Sequence, residues 1–139
     1  MPLFTVILLF TSITFAQNLV PGIWKATVRV KLLGIPLPTN EQKECVRPKD
    51  IKNIKTVVSE ALEKNGCKLK EWKLKKQKLD AQIQCKTEDL DAAGKLTGTI
   101  KEKSYDLAGT AEGYYQSKIP TKAEISLKGE WLGFCSEKY

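Results

Sequence analysis

Apolar and polar residues alternate with a period of two through most of this chain, and that period admits few structures. In GIWKATVRVKLL (residues 22–33), Trp24, Ala26, Val28, Val30 and Leu32 point one way, and Lys25, Thr27, Arg29 and Lys31 the other. Successive side chains of a β-strand face opposite sides of its sheet, so this is the pattern of an antiparallel strand with one buried face and one wet face. LDAQIQC repeats it, with Leu79, Ala81, Ile83 and Cys85 set against Asp80, Gln82 and Gln84. KLTGTIKEK turns Leu96, Gly98 and Ile100 inward, and SYDLAGTAEGYY does the same with Leu107, Gly109, Ala111, Gly113 and Tyr115. KAEISLKGEWLG presents Ala123, Ile125, Leu127, Gly129 and Trp131. CKLKEWKLK starts with Cys67 and Leu69 inward, but Trp72 and Leu74 have the opposite parity, and a bulge near Glu71 reconciles them. The small residues on the inward rows imply tight curvature or a helix packed closely on the sheet.

One segment breaks the period. Pro48 suits the first position of a helix, where its missing N–H costs nothing, and Asp50 follows in the first turn, where the helix dipole favours negative charge. Ile51, Ile54, Val57, Val58, Ala61 and Leu62 then recur at three and four residues, one apolar stripe, and Asn65-Gly66 is a left-handed stop. Before the helix, GIPLPTN (34–40) reads as a loop, because its two prolines oppose continued pairing, and EQKEC as a short return strand. TEDLDAAG reads as an acidic turn region. The expected fold is mainly β: about seven antiparallel strands in a curved sheet or small open barrel, with one α-helix inserted after the second strand.

The first residues stand apart. MPLFTVILLFTSITFAQ carries an apolar run from Leu3 to Phe10 that continues through Ile13 to Phe15, shorter than the roughly 20 residues of a membrane span. It ends at Thr14-Phe15-Ala16, a small-x-small cleavage site, although no Lys or Arg precedes the run. Residues 1–16 are therefore expected to be a cleaved signal peptide and 17–139 a single disulfide-bonded domain; the competing reading is an apolar strand kept in the mature protein. The signal holds no charge, so the mature chain keeps the whole +7 (23 basic minus 16 acidic). In an exported protein that basic balance points to phospholipid headgroups or other envelope anions rather than nucleic acid, or simply to solvated lysine faces such as KLKEWKLKKQK (Lys68 to Lys78).

Four cysteines in an exported domain of this size point to two disulfides. Their steps of 22, 18 and 50 residues (45 to 67, 67 to 85, 85 to 135) lack the paired C-x-x-C spacing of a zinc site. The chain has no histidine, so no imidazole catalysis is available and a metal or other cofactor is not expected.

An ordered set of motifs runs along these cysteines: PGIWKATVRVKLLGIPLP, CVRPKD before the helix, CKLKEWKL, an 18-residue step to the next cysteine, GKLTGTI and SYDLAGT, and a terminal GEWLGFC. In this the chain resembles the bacterial exported family catalogued as domain of unknown function 3617, over about Pro21 to Cys135. Members of that family typically show a Pro-Gly-Leu/Ile-Trp start, a Met- and Pro-rich loop, Cys-x-Thr-Pro-x-Asp, two more cysteines and a final Gly-x-x-x-Gly-x-Cys. Here Arg47 stands where the family has Thr, removing a hydroxyl cap ahead of the helix, and the loop carries Leu and Ile in place of methionines. The resemblance implies a periplasmic or secreted protein and brings no catalytic residues with it. Four cysteines allow three pairings. A three-residue turn centred on Lys76 makes Cys67 and Cys85 face each other in one hairpin, which favours Cys67–Cys85 with Cys45–Cys135.

Two stretches are apolar where polar turns are expected. LLGIPLP (Leu32 to Pro38) offers Leu33, Ile35 and Leu37, and YYQSKIPTK (Tyr114 to Lys122) offers Tyr115 and Ile119. If they share one end of the sheet they form an apolar rim with lysines beside it, suited to a lipid, a membrane surface or an envelope protein. The other reading folds Leu33, Ile35 and Leu37 back over the mouth as core. The expectation is thus a non-enzymatic exported binding protein. A structural or stress-related envelope protein acting only through a protein partner is the alternative, and a carboxylate-based hydrolase using Asp80, Glu88, Asp89 or Asp91 is a more remote one.

Overall fold

A computed structural model of the chain describes residues 19–50 and 53–136; the expected signal peptide lies outside them. Eight strands form one antiparallel sheet. In chain order they are β1 (Gly22–Leu32), β2 (Ile35–Pro36), β3 (Asn40–Val46), then α1 (Ile54–Lys64), and β4 (Cys67–Lys75), β5 (Lys78–Lys86), β6 (Leu90–Ile100), β7 (Ser104–Tyr115) and β8 (Ile119–Gly133). The order across the sheet is β2-β1-β8-β7-β6-β5-β4, with β3 also on β1. Lys31 pairs with Pro36 and Val28 with Asn40, so β2 and β3 are one return strand interrupted at residues 37–39. Counted that way there are seven rows, and α1 connects one edge of the sheet to the other. The sheet does not close into a barrel.

The period-two rows map onto the buried face strand by strand. In β5, Leu79, Ala81, Ile83 and Cys85 are buried and the residues between them are not. Leu96 in β6 and Leu107 in β7 are fully enclosed, in one apolar cluster with Ile54, Val58 and Leu62 of α1. Each such leucine contributes about 1.5–3 kcal/mol by leaving water. The helix therefore covers the concave face, and its other side stays wet.

Several segments differ from the sequence reading, each for a local reason. Pro48–Asp50 forms a 3-10 turn, and the α-helix starts later, where the Asn53 side chain accepts a hydrogen bond from the Thr56 N–H at 2.8 Å. Asn53 thus supplies the cap that Arg47 lacks. The helix ends as expected, with Gly66 at φ 78°. TEDLDAAG is not a turn throughout: only residues 87–89 are, and Leu90 opens β6 with Ala92 buried on the inward parity. Within GIPLPTN, Ile35–Pro36 pairs with β1, which Pro36 tolerates because it lies on the sheet edge. Of YYQSKIPTK, only residues 116–118 lie outside strands.

The β4–β5 hairpin turns on two residues, Lys76 and Gln77, not three. That register alone would leave Cys67 one residue out of step with Cys85. The pairing moves from Leu69↔Ile83 to Glu71↔Gln82, leaving Lys70 extra, and this bulge restores both the Cys67↔Cys85 pair and the inward facing of Trp72 and Leu74.

Candidate functional site

The two ends of the concave face are finished differently. At the end where β1 begins, Trp24 stacks on Tyr105 with ring centroids 6.3 Å apart, and its indole N–H donates to the Val20 carbonyl at 2.7 Å. Burial pushes the Tyr105 phenol above its ordinary value. Gly129 faces that ring, and a Cβ there would overlap it. The Trp131 indole donates to the Pro21 carbonyl at 3.2 Å, and the Cys45–Cys135 disulfide ties the C-terminal strand end to β3.

At the other end the helix stops at Asn65 while the strands run on, and a cavity of about 550 Å³ opens there. Its walls come from nearly every row of the sheet. Val30 and Leu32 line it from β1, Ala123 and Ile125 from β8, Ala111 from β7, Leu90 from β6 and Ile83 from β5. The Cys67–Cys85 disulfide forms the wall beside the helix end. The polar lining is short: Asn65, Thr87, Asp89 and Thr121.

The mouth is built by three turns. Leu33 and Gly34 both take left-handed backbone, φ 52° and 78°, as a two-residue hairpin of the primed type requires. The Leu33 N–H donates to the Lys122 carbonyl at 3.0 Å, pinning this hairpin against β8. The Gln116 N–H donates to the Asp89 carbonyl at 2.6 Å, joining the β7–β8 turn to the β5–β6 turn. Leu33, Ile35 and Leu37 therefore come to the same mouth as Tyr115, and all four line it. They are not folded in as core: Leu33 is 58%, Ile35 66% and Leu37 42% exposed. Ile119, 49% exposed, pairs with Tyr115 at the same end but does not line the cavity.

Among the carboxylates read from the sequence, Asp80 lies on the wet face of β5, Glu88 and Asp89 in the turn, and Asp91 on the wet face of β6; only Asp89 borders the cavity. No group of three or more Cys, Asp or Glu among the described residues could hold a metal ion. Thr121 was missed, because YYQSKIPTK reads as a loop. Its parity was the available signal: it lies two residues before Ala123, on the inward row of β8.

Among the described residues, no helix is long and apolar enough to cross a membrane. A family model described as protein of unknown function (DUF3617) matches residues 19–135. No curated protein and no solved structure matches the chain.

Proposed function

The chain belongs to the DUF3617 family, and on that premise we propose that it is an exported, non-enzymatic binding protein that holds a lipid-like molecule at the open end of its sheet. The cavity carries this reading. At about 550 Å³ it falls in the roughly 300–1,000 Å³ range of small-molecule sites, and its lining is largely aliphatic. The rim supports it independently. Leu33 sits where left-handed backbone costs a side-chain-bearing residue about 1–2 kcal/mol, and its side chain is 58% exposed. Neither conformation nor burial favours leucine there, which is the condition under which a strained residue points to function. Export is supported by the two disulfides, which persist in oxidising compartments, and by the apolar N-terminal segment. The exposed apolar tips are suited to meeting a membrane surface while a ligand passes.

Native mass spectrometry of the protein purified from a bacterial periplasm tests this, alongside titration with the uncharged fluorophore N-phenylnaphthylamine. A discrete releasable mass, or saturable one-to-one dye binding lost when Ala111 is replaced by Trp in a folded variant, is expected. Absence of both would end the ligand reading and turn the search to a protein partner.

A further inference from the structure

The cavity's lining also restricts the chemistry of its ligand, given that the preceding reading holds. Among the described residues no Lys or Arg lines it, and the single charged residue that does is Asp89. The lysines adjacent in sequence to lining residues, Lys31, Lys64, Lys68, Lys86 and Lys122, are exposed and outside the lining, and the Lys122 ammonium lies 3.9 Å from a Glu124 carboxylate oxygen. A carboxylate or phosphate drawn into this site would leave water without meeting a cation, beside a fixed negative charge, and both conditions oppose its entry.

Thr121 supplies the complementary observation. It is 8% exposed, lines the cavity from the inward row of β8, and its hydroxyl has no hydrogen-bond partner among the described residues. No buried side-chain oxygen or nitrogen among the described residues lacks a partner, so this hydroxyl is not sealed in but opens on the cavity, where it can both donate to and accept from a ligand's polar group. The other polar lining residues gather on the same level. Thr87 and Asp89 lie in the β5–β6 turn and Asn65 at the helix end, whereas Ile83, Val30 and Ile125 lie farther along their strands from the mouth.

We infer that the site takes an amphiphile whose polar group is uncharged or cationic, hydrogen-bonded to Thr121 near the mouth, with its apolar part laid against Ile83, Val30 and Ile125. Anionic lipids of the same chain length are the discriminated class.

Displacement of N-phenylnaphthylamine from the full, oxidised chain by dodecane, dodecanol, dodecylammonium and dodecanoate tests this. Dodecanol and dodecylammonium should each displace the dye at concentrations at least about tenfold below dodecanoate, as expected for a charge that finds no partner. Thr121→Val keeps the shape and removes the hydroxyl. It should weaken dodecanol about fivefold, the effect of one lost hydrogen bond, and leave dodecane unchanged. Asp89→Asn should narrow the gap between dodecanoate and dodecanol. Dodecanoate binding as well as dodecanol, or Thr121→Val leaving dodecanol unchanged, overturns the inference while leaving a ligand cavity in place. If no compound displaces the dye, or the dye itself does not bind, the ligand reading fails and this inference with it.

Discussion

Trp24 near the start of β1 is 5% exposed, while Ile35, just past the end of the same strand, is 66% exposed. The difference lies in what covers the concave face. Around Trp24 the face meets a stacked Tyr105, the Val20 carbonyl and α1; around Ile35 the helix has already ended and the strands overhang it. The two disulfides divide the same way. Cys45–Cys135 closes 90 residues of chain at the covered end, whereas Cys67–Cys85 closes 18 and forms a cavity wall. Stability is concentrated at one end, which leaves the other free to expose apolar side chains at little cost to the fold.

The largest effect expected from that division is in the long-range disulfide. Replacing Cys45 and Cys135 together with Ser should lower unfolding free energy by about 4–5 kcal/mol on chain-entropy grounds, against about 3 kcal/mol for Cys67 and Cys85. Denaturant midpoints of the two double variants check the ranking. A reversed order would mean that the cavity wall, not the strand tie, bears more of the fold. Next in size is Leu107→Ala. This residue is fully buried in the core cluster it shares with the helix, so truncation should cost about 2–5 kcal/mol, scaling with the void that remains. Since Leu107 does not line the cavity, dye affinity of the folded fraction should hold.

Leu33→Asn is the variant that separates the ends most sharply. Asparagine is better suited than leucine to the left-handed backbone at φ 52°, so the substitution should stabilise the fold by up to about 1 kcal/mol. It should weaken ligand or membrane binding in the same protein. Thermal midpoint and dye titration measured together decide the matter: a stabilised variant with unchanged binding would make Leu33 an accident of the turn.

How much of this was legible beforehand depended on which physical signal each part leaves. The strand rows, the helix stripe and the need for a bulge in β4 were readable because large apolar residues alternate with lysines. The start of β6 was not, because the inward residues that follow Leu90 are Ala92 and Gly94, too small to mark a face against Asp91. Pro36 hid a strand because a proline's meaning depends on whether its strand is an edge, which is a property of the whole sheet. The rim residues were visible as leucines and an isoleucine in a turn, but whether they were core or rim turned on where α1 stops along the sheet. The cavity was invisible for the same reason. Parity assigns Ile125 and Leu127 to one face, and both are buried, yet only the position of the helix end decides that Ile125 borders this cavity and Leu127 does not.

The smallest expected effect on stability is the most exacting test of the open end. Ile35 and Leu37 are 66% and 42% exposed, and surface substitutions away from core, cap and strained backbone change stability by about 0.5 kcal/mol or less. The double variant Ile35→Ser with Leu37→Ser should therefore unfold within about 1 kcal/mol of the parent while losing binding to phospholipid vesicles. Vesicle co-sedimentation against a denaturant midpoint reads both quantities on one preparation. A loss of several kcal/mol would show that these side chains do pack over the mouth in solution, closing the cavity and erasing the distinction between the ends. Unchanged stability with unchanged vesicle binding would retain the open mouth but remove its apolar rim from the membrane contact, leaving the cavity to take its ligand from solution.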